Sequence, residues 1–218
     1  SSYNEVLLKK DKDKMETALR DIGYYFSEIK VDLIDLSDNK VDLVFNIDLG
    51  DKAKIKKITF LGNKIYKDKK LKSLIISEEY KFWKIISGRK YLNQSLINFD
   101  KRLIRNFYLN KGYHDVVINS SFAKLLNEGE FELVFNIDAG KKFYFGDLNL
   151  KLPIDFEKDN FESLDKLFSN LKEEPYSINS VEKIINEIDK IAISEQYESV
   201  EATVNETIVN KKNFNEPK

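Results

Sequence analysis

The sequence predicts an α+β protein made of tandem β-α-α-β-β modules, each a three-stranded mixed sheet with two helices on one face. Three observations predict it. The hexapeptide Leu-Val-Phe-Asn-Ile-Asp occurs at residues 43–48 and again at 133–138, and each copy is followed one residue later by a glycine, Gly50 and Gly140. A helical segment ending in Gly-Tyr, at Gly23-Tyr24 and Gly112-Tyr113, precedes both copies, so the repeat runs to about 90 residues. Within each copy, apolar residues first recur at helical spacing and then alternate at strand spacing.

The middle copy carries the full unit. Residues 54–60 alternate loosely through Ile55, Ile58 and Phe60 and stop at Gly62-Asn63, a turn signal, so they read as the first strand. Asp68 is placed to cap a short helix with Leu71, Leu74 and Ile75 at helical spacing. An aromatic-rich connector over 80–91 holds Phe82, Trp83 and a Gly88-Arg89-Lys90 turn. A longer helix over 93–110 follows, with Leu96, Phe99, Leu103, Ile104 and Phe107 as its stripe. Gly112 suits the left-handed conformation that closes a helix. Val116, Ile118 and Phe122 then alternate with polar neighbours as a second strand. A polar loop at Asn127-Glu128-Gly129 leads into the third strand, where Phe131, Leu133, Phe135 and Ile137 share one face.

The first copy enters partway through the unit. Met15, Ala18, Leu19 and Ile22 form the second helix, 29–36 the second strand, 37–40 a hairpin turn and 41–47 the third strand. The third copy opens at Lys142, with Leu148, Leu150 and Leu152 as a strand and Phe161, Leu164, Leu167 and Leu171 as its first helix. Asn179 and Glu182 have capping-box spacing before a second helix striped by Val181, Ile184, Ile188 and Ile191. Gln196-Tyr197 replaces Gly-Tyr, and Val200, Ala202 and Val204 read as a second strand. The expected modules are 1–50 (second helix and last two strands), 51–140 (complete) and 141–218 (lacking the final strand). The chain is thus expected to be a fragment whose incomplete ends fray or associate between molecules.

Composition narrows the chemistry. The 36 Lys and Arg nearly cancel 37 Asp and Glu, which argues against a phosphate-tracking nucleic-acid surface. No run of about 18 apolar residues is present to span a membrane as a helix. Without cysteine and with one histidine, His114, the chain has neither thiolate chemistry nor a His-His metal pair. No convergent set of acids and bases emerges, so the chain is read as no enzyme, without cofactor or metal. Asp48 and Asp138 lie one repeat apart and read as junction residues, not paired carboxylates.

The tandem β-α-α-β-β unit, with Gly-Asn closing strand one and Gly-Tyr closing helix two, resembles POTRA domains. The connector Phe82-Trp83-Lys84-Ile85-Ile86-Ser87-Gly88-Arg89-Lys90-Tyr91, with the helix ending Tyr108-Leu109-Asn110-Lys111-Gly112-Tyr113, is similar to the third POTRA domain of BamA-type outer-membrane assembly factors. On that resemblance the chain covers parts of the second and fourth domains and all of the third. The resemblance implies a periplasmic, chaperone-like scaffold of the outer-membrane β-barrel assembly machinery. Its implied partners are unfolded outer-membrane β-barrel proteins and accessory outer-membrane lipoproteins, with membrane attachment only through a C-terminal barrel absent here and with no nucleic acid.

In such a sheet the third strand is central and the second lies at an edge, where unpaired backbone groups can accept an extended peptide. The candidate binding residues are therefore Asp115, Val116, Val117, Ile118, Asn119, Ser120, Ser121 and Phe122, with Val117, Asn119 and Ser121 facing solvent. The same strand also reads as an ordinary edge. Phe82, Trp83 and Tyr91 read either as a cap over the helix ends or as a partner contact. Gly50, Asp51, Gly140 and Lys141 are candidate hinges between modules. Alternative functions are the POTRA region of a translocation or two-partner secretion transporter, or an extracellular adhesion or carbohydrate-binding array.

Overall fold

The computed structural model describes residues 4–37, 40–83, 86–125, 127, 129–197 and 200–209, with Asn63 described by its backbone alone. They form two compact units, Ser1–Phe107 with Val116–Ala139, and Tyr108–Asp115 with Gly140–Lys218. No helix among the described residues is long and apolar enough to cross a membrane.

The first unit opens with helix α1 (Glu5–Asp21), whose start is fixed by the Asn4 carboxamide accepting the Val6 and Leu7 N–H groups. Gly23, at φ +100°, closes it as the Gly-Tyr signal predicts. Strands β1 (Glu28–Leu36) and β2 (Lys40–Asp48) pair antiparallel, with Ile29 opposite Ile47. Residues 38 and 39 of the expected turn lie outside the described residues. The expected stripe Met15, Ala18, Leu19 and Ile22 is not a buried one: α1 buries none of its residues. An apolar stripe needs a surface to pack on, and a two-stranded ribbon offers little of one.

The second sheet is the better-built one. It comprises β3 (Lys54–Asn63), β4 (Val117–Lys124) and β5 (Glu130–Asp138), with the short α2 (Asp68–Lys72) and the longer α3 (Gln94–Leu109) between β3 and β4. Strand order is β3-β5-β4, with β3 parallel and β4 antiparallel to the central β5, the mixed sheet expected. Phe131, Leu133, Phe135 and Ile137 of β5 alternate into the core beside Ile55, Ile58 and Phe60 of β3. The Phe60 and Phe135 rings stack 5.6 Å apart. Each such burial stabilises the fold by about 1.5–3 kcal/mol. Of the loop into β5, residue 128 lies outside the described set, as does 126 before it.

Three local expectations are corrected in this unit. Strand β3 does not turn at Gly62-Asn63 but runs through both. Gly62 is needed there for its φ of +87° and because a Cβ would come within 2.5 Å of the Ile137 carbonyl oxygen. Asp68 is not a cap: it is the first residue of α2, paired with Lys64, and the helix ends before Leu74 and Ile75. The buried face of α3 is rotated from the expected stripe, running through Ile97, Asp100, Ile104 and Tyr108, while Phe99 is exposed. An aspartate on the buried face hid it from a hydrophobicity count.

In the second unit, a 3-10 turn at Lys158–Phe161 leads into α4 (Glu162–Leu171), which buries Leu164, and α5 (Ile178–Ser194) buries Ala192. The cap of α5 is Ser177, whose hydroxyl accepts the Ser180 N–H, and not Asn179. Gln196 takes φ +57°, so the closing position stays left-handed although it is not glycine. The segments around Leu148–Leu150–Leu152 and Val200–Ala202–Val204 are not strands, contrary to expectation. A strand exists only with a ladder partner, and among the described residues of this unit neither finds one. Residues 198 and 199 lie outside the described set.

Candidate functional site

A three-stranded sheet has two edges, and here they differ. Along β3 the outer edge is covered by the connector that follows α2 and by Lys64, which precedes that helix. The Tyr80 N–H donates to the Ile55 carbonyl (2.6 Å), the Glu79 carboxylate accepts the Ile58 N–H (3.0 Å), and Lys64 Nζ donates to the Phe60 carbonyl (2.7 Å). Tyr91 bridges to Lys54 and the Leu92 N–H reaches the Ala53 carbonyl at 2.8 Å. Along β4, by contrast, no backbone group bonds to anything but β5 among the described residues. One edge is closed and the other is open.

Within β4, exposure alternates: Val117, Asn119 and Ser121 face solvent, while Ile118, Ser120 and Phe122 are half-buried on the helix side. In register, Ile118 lies opposite Ile137, Ser120 opposite Phe135 and Phe122 opposite Leu133. Two boundaries are corrected. Asp115 and Val116 precede the ladder, the Val116 carbonyl accepting from Arg105 (2.8 Å) instead of β5. The strand also continues through Ala123 to Lys124, so its far end carries a lysine, a residue type that discourages edge pairing. No proline interrupts it.

The helix-side face is closed at its far end by residues of the first copy. Phe26 stacks on Phe131 (4.9 Å, 18°) and Tyr25 meets Phe122 edge-on at 4.8 Å. Tyr25 also donates to Gln94 (2.9 Å), and the Asn93 carboxamide bonds the Asp21 carbonyl. At the near end lies a groove of about 350 Å³ between α3 and β4, lined by Asn98, Lys101, Arg102, Arg105, Val117 and Ile118.

The connector aromatics separate into two groups. Phe82 and Trp83 are 78% and 62% exposed and pack on each other (4.7 Å), with Lys81 over the Trp83 ring, so they do not cap the helix ends. Lys84 and Ile85 lie outside the described residues. Tyr91 is half-buried against Gly23 and shares Lys52 with Tyr24. Of the hinge candidates, the Gly50 N–H donates to the Asp48 carboxylate at 3.1 Å. Gly50 and Asp51 lie in the first unit, Gly140 and Lys141 in the second. His114 is a surface residue of the second unit, its ring 5.7 Å from Tyr176.

A family model, POTRA, described as a surface antigen variable number repeat, matches residues 1–50 and 53–140. The chain belongs to the POTRA family. It is 27% identical over 224 residues to the outer membrane protein assembly factor BamA of Buchnera aphidicola subsp. Acyrthosiphon pisum (strain APS), covering 98% of this chain and 34% of that protein. The BamA of Neorickettsia risticii (strain Illinois) is 26% identical over 132 residues, 61% of this chain and 18% of the relative. This chain therefore spans about a third or less of the length of these relatives. Among solved structures, BamA POTRA3-5 of Haemophilus influenzae superposes with a TM-score of 0.54 at 16% identity, over 98% of this chain and 78% of that one, a likeness of fold.

Two acids in the POTRA stretch 53–140 escaped the sequence reading. Asp100, fully buried, accepts the N–H groups of Ile76 (2.7 Å) and Ser77 (3.2 Å), tying the connector to α3. Burial pushes its carboxyl above the ordinary range, and those bonds only partly counter the shift. Glu79 shows the opposite balance: burial works to raise its pKa, but Lys72 and the Ile58 N–H hold it below the ordinary value. The signal available for Asp100 was an acid at helical spacing between Ile97 and Ile104, which reads as polar surface until the connector is seen folded over it. Among the described residues no group of three or more metal-ligating side chains converges.

Proposed function

We propose that this POTRA region is a non-enzymatic periplasmic scaffold of an outer-membrane β-barrel assembly machine. It holds unfolded outer-membrane proteins by strand addition at β4 and docks accessory lipoproteins. The observation carrying this reading is the asymmetry of the sheet: β3 is sealed by Glu79, Tyr80 and Lys64, whereas the outer edge of β4 is unbonded among the described residues. An unpaired edge binds an extended chain through backbone bonds that barely depend on its sequence, which suits a machine with many clients. The relatives are outer membrane protein assembly factors, which supports the setting. The flexing of modules at Gly50-Asp51 and Gly140-Lys141, and a partner contact at Phe82 and Trp83, belong to the same proposal.

Titration of isotope-labelled protein with an outer-membrane strand peptide tests it. Amide shifts should concentrate on 117–124. Strand addition uses only alternate amides of the peptide, so N-methylation of one alternating set should abolish binding while the other set spares it. Shifts confined to Phe82, Trp83 and Tyr91, or equal tolerance of both methylation patterns, would overturn the reading.

A further inference from the structure

We propose that the groove between α3 and the start of β4 selects an extended strand bearing carboxylate side chains at the positions that face α3. The proposal deepens the strand-addition reading and rests on it. Asn98, Lys101, Arg102 and Arg105 are spaced i, i+3, i+4 and i+7, so they share one face of α3. That face overhangs Val117 and Ile118 and lines the groove with three cations and no acid.

The charges are not used up by the fold. Arg105 donates to the Val116 carbonyl, which holds its guanidinium at the groove, and no acid pairs with it among the described residues. Arg102 lies over the Phe99 ring, and among the described residues neither it nor Lys101 has an ionic partner. Asp100, the nearest acid in sequence, points into the core toward Ile76 and Ser77. Like charges at i and i+4, as in Lys101 and Arg105, destabilise a helix, and among the described residues no acid pairs with either. An acidic ligand would.

Geometry says which ligand residues would meet these cations. Ile118, Ser120 and Phe122 point to the helix side of the sheet, opposite Ile137, Phe135 and Leu133. Side chains alternate along any strand added beside β4, so one half of them also points to the helix side. Those near Val117 and Ile118 enter the groove beneath Lys101, Arg102 and Arg105, while those further along meet the face closed by Tyr25 and Phe26. Acidic residues therefore match one end of the added strand and apolar residues the other.

The test uses three strand peptides of identical length, with Asp, Ser or Lys at the residues that face α3 near Val117, titrated by fluorescence anisotropy at low and high salt. The Asp peptide should bind roughly tenfold tighter than the Ser peptide and the Lys peptide weaker still, since exposed pairs each contribute modestly. The order should compress at about 1 M salt, where the screening length falls to about 3 Å. In the double variant Lys101→Glu with Arg102→Glu the order should reverse, while the far-UV CD spectrum stays unchanged because Arg102 is exposed, Lys101 is only half-buried, and neither makes an ion pair among the described residues. Equal affinities for all three peptides, unmoved by the double variant, would overturn the charge selection and leave strand addition standing. Absence of binding by every peptide, to wild type and variant alike, would overturn both.

Discussion

Removing the Asp100 carboxylate probes how the connector is held to the sheet-covering helix. The side chain is fully buried and supplies both acceptors for the Ile76 and Ser77 N–H groups. In Asp100→Ala the buried Ser77 donor and the half-buried Ile76 donor lose their partners, at up to about 1–3 kcal/mol each, and relief of the carboxylate's own desolvation offsets part of this. The net expectation is a loss of about 2–4 kcal/mol at pH 7. Asp100→Asn keeps one acceptor and turns an N–H₂ toward the second donor, so about 1–3 kcal/mol is expected. Urea unfolding followed through the Ile104 and Leu133 methyl resonances reads this unit directly.

The pH dependence has a definite sign. The folded-state pKa of Asp100 is raised above its ordinary value of 3.8, with burial the leading cause. Its contribution to stability is therefore fully present below about pH 3.8 and is lost as pH rises through the folded-state pKa. The asparagine does not titrate. The stability advantage of wild type over Asp100→Asn should thus be largest in acid and shrink toward neutrality. An advantage that grows as pH rises from 4 to 7 would show that the two N–H bonds outweigh burial, and a cost below about 0.5 kcal/mol for Asp100→Ala would refute the role assigned to this side chain.

Other expectations follow from the same contacts. Phe26→Ala should cost about 1–2 kcal/mol, roughly half the usual price of deleting a phenylalanine because the ring is 50% exposed, and should speed amide exchange at Phe122 and Phe131. Gly62→Ala should cost more than about 2 kcal/mol in urea unfolding, since it adds a clash with the Ile137 carbonyl to an unfavourable φ. Gly50→Ala, with nothing within 4 Å of the added atom, should cost only about 1 kcal/mol. Ser177→Ala should lower the stability of the second unit by about 1 kcal/mol, while Asn179→Ala, whose backbone rather than side chain bonds Asn110, should change it by less than about 0.5 kcal/mol in thermal unfolding.

Local chemistry made much of the fold legible. The period-2 pattern of Phe131, Leu133, Phe135 and Ile137 identified a strand with one buried face, and Gly23 and Gly112 marked helix ends because few other residues adopt positive φ. The repeat placed the second strand of the middle unit at 115–122, within two residues of β4 at each end. What failed were readings that depend on a partner. The alternating Leu148, Leu150 and Leu152 look like a strand but find no ladder among the described residues, and the α1 stripe is at most half-buried. Phe99 and Phe107 outweighed Asp100 in the hydrophobic count, although Asp100 faces inward.

The candidate site divides along the same line. That β4 is a proline-free strand with Val117, Asn119 and Ser121 on one face follows from the sequence alone, because alternation is a property of a single extended chain. That it is the open edge does not. Sealing of β3 requires Glu79 and Tyr80 to reach back to Ile58 and Ile55, and closure of the helix-side face requires Tyr25 and Phe26 to meet Phe122 and Phe131. The cationic groove likewise exists only once the 98–105 face of α3 lies over Val117. Backbone period and turn chemistry are local and can be read along the chain; which edge is covered, and which charges are left without partners, are decided by contacts between distant residues that only the folded sheet brings together.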